Sequence, residues 1–396
     1  MPRLLTLEPL PKFSTIGKNE AINVTKALKS PLSGYIGGDR KGGYWVERLN
    51  EEWKETFGCQ HAIACNSATS GLWAAVNAVT QPGDLVWVVT YTMSATVGCL
   101  VKSGTRIKFI DIEGDTYTAD PFLFLSMAKE ETPKVVIVTN LFGHPAQLHW
   151  MRGWCDRVGA FLIEDNAQAP FSMEDGKYTG TIGHVGVFSL NVHKHIQCGE
   201  GGVIVTDDFG VADKCRLLIN HGELADNKIM GLNLRMTEPI AAIASAQLKK
   251  GEKIVQGRID LAHSITECFR DCEFVIPPQR KPGCRHVYYL WAGRLVGPRP
   301  KRFSLVAGLQ ARGIPVRLGY SRPLHKIFGT KDECPVAETI EQECLVTFEV
   351  CGYDPKAHHL RKMRDIILRE TQRIQGDKSY GRSDTDTSAG AAGTNA

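Results

Sequence analysis

Three observations predict an α/β fold: a mostly parallel central sheet with a smaller C-terminal α+β domain. Between residues 61 and 206, short apolar runs alternate with segments patterned as helices, the rhythm of strand and crossover helix. Those runs are apolar at nearly every position instead of every second one, as strands covered on both faces must be. After about Lys249 the rhythm changes, which marks a second, smaller domain. The expected organisation is a large domain over 1–248, a small one over 249–375 and a disordered tail over 376–396.

Taken in order, 18–28 reads as a helix ending at Ser30-Pro31, and the glycine-rich segment 33–43 breaks regular structure before a helix over 44–57. Residues 61–65 form a strand, Asn66-Ser67-Ala68-Thr69 a turn, and 70–79 a helix. Strands follow at 85–89, 107–112, 135–139, 161–164, 185–190 and 203–206, with helices at 93–102, 120–129 and 148–158. The C-terminal part shows a long helix through Cys268, strand-like runs at 274–276 and 286–295, a helix over 302–312 and a turn at Gly313-Ile314-Pro315. The last segment, from about Gly376, has few large apolar residues to bury and is expected to lack structure.

Composition narrows the function. The chain has 396 residues, 43% hydrophobic and 23% charged, with a formal charge of +4. Its basic residues form no tract interleaved with aromatics, so nucleic acid is not the expected partner. No apolar run approaches the roughly 20 residues that span a bilayer, and prolines break the N-terminus too early for a signal peptide. A cytoplasmic protein is expected. Its twelve cysteines include no CxxC pair, so free thiols are expected and no metal site.

The stretch GVFSLNVHKHIQCGEGGVIVT, 186–206, sets a single lysine, Lys194, between two buried strands and before a glycine cluster. That is a poor place for a solvated charge and a good one for a reactive amine. Asp165 and Gln168, in IEDNAQA, fall just past a strand end, where ligands of parallel sheets bind. The turn at Thr69 precedes a helix, and its free N–H groups and positive dipole end suit a phosphate. An amine that can form a Schiff base, a carboxylate that can hold a pyridine nitrogen protonated and a phosphate cradle are the three handles of pyridoxal phosphate.

The order NSATSGL, GDLVWVVTYTMSAT, IEDNAQA, FSLNVHKHIQCGEGG, NHG and GLNLRMTEPIAAIASAQL resembles the DegT/StrS family of pyridoxal phosphate-dependent sugar aminotransferases. The likeness runs from about Ser33 to Leu345, and GEGG beginning five residues after the lysine is its most specific mark. The resemblance implies the fold-type I aminotransferase architecture and a homodimer with shared active sites. It also implies an amino-acid donor, glutamate or glutamine, and a keto sugar, nucleotide-linked, as acceptor.

Residue by residue, the resemblance makes Lys194 the Schiff-base lysine and proton carrier, and Asp165 the partner of the pyridine nitrogen. Gln168 then sits at the ring's hydroxyl face, Ala68 and Thr69 in the phosphate turn, Ser189 as a further phosphate contact, and Asn233 reaches in from the neighbouring subunit. Tyr35, Asn191, His193, Tyr320 and His325 are candidates at the substrate mouth. The chain departs from the pattern at Met93, where relatives place an aromatic against the cofactor ring, and at Leu190-Asn191. His193 and His195 flank Lys194, and relatives with histidine at the lysine position run dehydration, but counting back from GEGG lands on Lys194. Transamination is the expectation. Alternatives are a keto-cyclitol acceptor, dehydration on the same cofactor, or a non-catalytic regulatory protein.

Overall fold

The computed structural model describes residues 5–35, 41–101, 103–222 and 229–376. In chain order its first part comprises α1 (Lys18–Ala27), α2 (Tyr44–Phe57), β1 (His61–Cys65), α3 (Ala68–Val79), β2 (Leu85–Val89), α4 (Ser94–Gly98), β3 (Arg106–Ile110), α5 (Phe122–Met127), β4 (Val135–Thr139), α6 (Leu148–Val158) and β5 (Phe161–Asp165). A small hairpin follows, β6 (Met173–Glu174) and β7 (Lys177–Tyr178), then β8 (Val185–Ser189), β9 (Gly202–Thr206), α7 (Phe209–Ile219), α8 (Glu238–Leu248) and α9 (Gly251–Cys268).

Seven of these strands form one sheet in the order β1-β9-β8-β5-β4-β2-β3. β9 runs antiparallel to both neighbours, and every other pairing is parallel. β2, β4, β8 and β9 are buried at every position, which is why their sequences are continuous apolar runs.

The remaining chain gives β10 (Val275–Ile276), β11 (Cys284–Arg285), β12 (Trp291–Leu295), α10 (Arg299–Ala311), β13 (Val316–Leu318), α11 (Leu324–Phe328), α12 (Pro335–Thr339), a π-helical turn (Ile340–Cys344), β14 (Leu345–Phe348) and α13 (Ala357–Gly376). Four strands make an antiparallel sheet, β10-β12-β14-β13, while β11 pairs with β6 of the first part. The chain's start lies on its end: the Leu7 N–H donates to Arg312 O at 2.7 Å, Phe13 to Gly352 O at 3.2 Å, and Asp354 back to Pro11 O at 2.8 Å.

Several expected elements differ in extent. The helix expected over 93–102 is the five-residue α4, since β-branched Thr96 and Val97 and then Gly98 are weak helix formers. The helix expected over 120–129 shortens to 122–127, with Pro121 at its N-cap. The run at 286–295 is not one strand: Tyr288 has a left-handed backbone, φ 52°, and only Trp291–Leu295 extends. The helix expected at 302 starts at Arg299 because Pro300 falls in its first turn, where proline is tolerated. The tail beyond 376 and residues 36–40 of the glycine-rich loop lie outside the described residues.

Register brings the site together. Cys65, Gly202 and Ser189 lie level on β1, β9 and β8, and Val187, Asp165 and Thr139 lie level on β8, β5 and β4. Glu164, one residue before Asp165 and on the opposite face, is fully buried and accepts hydrogen bonds from the N–H groups of Gly180 (2.6 Å), Ile182 (2.9 Å) and Gly183 (2.5 Å) and from Asn140 Nδ2 (3.1 Å). These bonds fix the end of β5 that carries Asp165.

Candidate active site

Beyond the carboxyl end of β1, Ser67 caps α3: its Oγ accepts from the Ser70 N–H at 3.1 Å. Among the described residues the N–H groups of Ala68 and Thr69 have no acceptor, as expected of a helix's first turn. Gly202, at the start of β9, packs directly on this turn. A Cβ there would stand 2.5 Å from Ser67 C and 2.6 Å from Ala68 N, so only glycine lets the strand approach. Ser189 is level with Gly202 and its Oγ accepts from the Asn191 N–H at 3.3 Å.

Asp165 ends β5 and is buried. Its Oδ2 accepts from Thr96 Oγ1 at 2.6 Å and its Oδ1 from the Ala167 N–H at 3.1 Å. Thr96 is itself within hydrogen-bond distance of Thr92 Oγ1 (3.0 Å), which is 2.9 Å from Thr139 Oγ1. Burial pushes the carboxyl upward, against those two hydrogen bonds and the positive charge of Lys194. A cation placed against it would draw it back to the carboxylate.

Lys194 sits in the loop between β8 and β9, which is tied by Leu190 N–H to Gly201 O (2.9 Å), Cys198 N–H to Leu190 O (2.8 Å) and Val192 N–H to Gly199 O (2.9 Å). The lysine is only 8% exposed. Burial lowers its amine to about 8, with Asp165, Cys351 and Glu200 pulling the other way. No ion pair joins it to Asp165. Its amine lies 4.4 Å from the centre of the Tyr289 ring.

Gln168 bridges the cleft: its Oε1 accepts the Phe142 N–H at 2.8 Å and its Nε2 donates to the Tyr320 hydroxyl at 2.7 Å. Burial pushes that phenol up to about 12. Asn191 Nδ2 donates to Glu200 Oε1 at 2.8 Å, and its Oδ1 accepts the His193 N–H at 3.1 Å. His325 is buried, with Nδ1 2.6 Å from Thr90 Oγ1 and Nε2 3.1 Å from Glu338 Oε1; both ring nitrogens are engaged within the protein. Met93 precedes α4 and is 53% exposed. Tyr35 is buried under the Arg235 guanidinium, 5.7 Å from its ring centre. Asn233 is exposed, bridges Asn220 and accepts from Arg235 Nε at 3.0 Å.

A cavity of about 640 Å³ is lined by His193, the neighbour of Lys194 in sequence, and by Tyr289, whose ring faces the Lys194 amine, with Tyr320, Arg317, Lys12 and Cys351 among others. The sequence singled out His193 and Tyr320 in its wall but not Tyr289 or Lys12, nor Thr96 against Asp165. Thr96 lay inside TYTMSAT, a polar cluster directly after a buried strand, which was the available signal. Tyr289 had none, because only the left-handed turn at Tyr288 aims it at the lysine.

These residues fit pyridoxal phosphate. Among the described residues two N–H groups without an acceptor stand beside a floor that a Cβ would fill, the buried Asp165 carboxyl has no ion-pair partner, and the Lys194 amine makes no hydrogen bond. Comparison with known proteins agrees. The model of the DegT/DnrJ/EryC1/StrS aminotransferase family matches residues 16–347. The chain belongs to that family. The aminotransferase is 33% identical over 257 residues to a GDP-perosamine synthase of Vibrio cholerae, covering 63% of this chain and 68% of that one. It is 29% identical over 315 residues to a pleiotropic regulatory protein of Geobacillus stearothermophilus, covering 76% and 83%. A crystal structure of a DegT DnrJ EryC1 StrS aminotransferase from Brucella abortus superposes with a TM-score of 0.79 at 25% identity, covering 91% and 96%. The protein is thus a pyridoxal phosphate-dependent aminotransferase. Among the described residues no helix is long and apolar enough to cross a membrane, and no cluster of metal-ligating side chains occurs.

Proposed function

We propose that the aminotransferase moves an amino group from glutamate or glutamine to a nucleotide-linked keto sugar, in amino-sugar biosynthesis. The observation that carries this reading is the buried Lys194 amine facing Tyr289 at 4.4 Å, with Tyr289 in turn in the wall of a cavity of about 640 Å³ that also holds lysine, arginine and further tyrosines. Bound pyridoxal phosphate supplies an electron sink for the bond that breaks at the amine-bearing carbon. Ala68 and Thr69 would hold its phosphate through their N–H groups, with Ser189 beside them. Asp165, held by Thr96 and Ala167, would accept the ring N–H. Gln168 would stand at the hydroxyl face. Lys194, neutral at mildly alkaline pH, takes the proton from the donor's carbon and returns one to the acceptor's.

The reading includes a homodimer. Met230 (87% exposed), Leu232, Tyr44 and Met93 are large apolar side chains open to solvent, and a second copy would cover them and bring Asn233 to the neighbouring site. The cysteines whose side chains are described are all free thiols, at home in a reducing cytoplasm. Small-molecule partners, and not nucleic acid, suit the mild net charge.

A panel of nucleotide-linked keto sugars with glutamate as donor, read by product mass, tests the proposal. Amine gain by one sugar, lost in Lys194→Ala, is expected. Loss of water in place of amine gain would assign dehydration, and turnover retained by Lys194→Ala would sink the mechanism. The dimer is tested by light scattering on the eluting peak.

A further inference from the structure

In an aminotransferase the lysine amine is free for part of each cycle and must stay where it can accept and return a proton. Among the described residues the Lys194 amine makes no hydrogen bond and no ion pair; it faces the ring of Tyr289 at 4.4 Å. That pairing is built by the backbone. His195, next to the lysine, lies with Nε2 2.8 Å from the carbonyl oxygen of Val287, two residues before the tyrosine. The Val287 N–H donates to Gly143 O at 3.0 Å and the Tyr289 N–H to Phe142 O at 2.8 Å. Phe142 (φ 57°) and Tyr288 (φ 52°) both adopt the left-handed conformation, costly for bulky side chains. A Cβ on Gly143 would stand 2.8 Å from Val287 Cγ2 and 2.9 Å from Tyr288 N. Two strained residues and an obligatory glycine therefore lay this segment against the lysine loop.

We propose that the face of Tyr289 is the seat of the free Lys194 ammonium, making Tyr289 a positioning residue for the proton-carrying amine. A π face attracts a cation without offering a lone pair that would hold its proton. A carboxylate in the same place would fix the charge and keep the amine from acting as a base. The other ionisable groups around the amine are Asp165, Glu200, Cys351 and His195; neither carboxylate forms an ion pair with it. The inference rests on the assignment of Lys194 to the chemistry, though not on the identity of the sugar.

The experiment uses the full-length protein stripped of cofactor. Trace labelling with acetic anhydride across pH, with the Lys194 peptide quantified by mass spectrometry, gives the titration midpoint of that amine. Without the π face the ammonium is less favoured, so Tyr289→Leu should move the midpoint down by roughly 0.5 to 1.5 units. Tyr289→Phe, which keeps the ring, should titrate with the wild type. Tyr289→Met repeats the loss of the ring with a different shape should the leucine variant not fold. Ring-less variants that titrate with the wild type overturn the proposal, and so does a phenylalanine variant that shifts as far as they do. In the loaded enzyme kcat falls with Leu or Met and not with Phe. If the wild type transfers no amine to any keto sugar while the ring-dependent shift holds, the assigned function fails and the seat stands. Amine transfer without the shift removes the seat alone.

Discussion

The Gln168 amide donates to the Tyr320 hydroxyl at 2.7 Å across the cleft, joining the loop after β5 to the chain between β13 and α11. The same amide accepts from Phe142 on its other side, so one side chain couples three segments. Tyr320→Phe leaves Gln168 Nε2 without its partner in a part-buried setting. Stability should fall by about 1–2 kcal/mol, read as a lower midpoint in urea. An unchanged midpoint would show that this contact does not hold the two parts together.

Asp165→Asn keeps the shape and an acceptor for Thr96 but removes the charge that would face the cofactor's ring nitrogen. The expected loss in kcat is on the order of 10²–10³-fold, the scale of removing one preorganised electrostatic contact. Cofactor binding, followed by its visible absorbance, should weaken as well. A variant with wild-type kcat would show that the ring is not held there.

The lysine sets a pH dependence. Burial has lowered Lys194 to about 8, whereas in an unfolded chain it titrates near about 10.4. Between those values the unfolded state binds the extra proton, so stability rises with pH through that window; below about 8 the penalty is present in full. Uptake of pyridoxal phosphate by the stripped protein needs the neutral amine. Its rate should climb about tenfold per unit up to about pH 8 and then level. A rate that keeps climbing to pH 10 would mean an unperturbed lysine.

Gly202→Ala would force β9 away from the Ser67-Ala68 turn, because the new methyl would overlap backbone that cannot give way. The expected cost is about 1–3 kcal/mol of stability. Affinity for pyridoxal phosphate should fall further than affinity for pyridoxal, which lacks the phosphate the turn would hold. Equal losses for both would remove the turn from phosphate binding.

The strands of the large sheet were legible because burial on both faces writes itself into consecutive residues: β1, β2 and β4 begin and end where the apolar runs do. The Lys194 loop was legible for the same reason, lying between two such runs. What could not be read is what long-range packing decides. The reversed direction of β9 leaves no trace in a strand that is buried throughout. Thr96 reaches Asp165, 69 positions away, with nothing local to announce it. His325 read as a mouth residue from its motif, and its contacts with Thr90 and Glu338 depend on where α11 docks. Tyr289 depends on two left-handed residues that no periodicity marks.

The position of β1 at the edge of the sheet has a consequence for how the molecule assembles. Among the described residues its strand partner is β9 alone, and the bridge from Cys65 to Arg235 comes from still later in the chain. On a chain growing from its N-terminus, β1 is therefore made early and stays unpaired until nearly all the rest of the large sheet exists. Closing so long a loop is slow and leaves an apolar edge open meanwhile. The turn after β1 proposed to hold the phosphate gets its floor only when Gly202 arrives, so on that reading the pocket is a late product of folding, and cofactor can reward the finished sheet but cannot template its first steps.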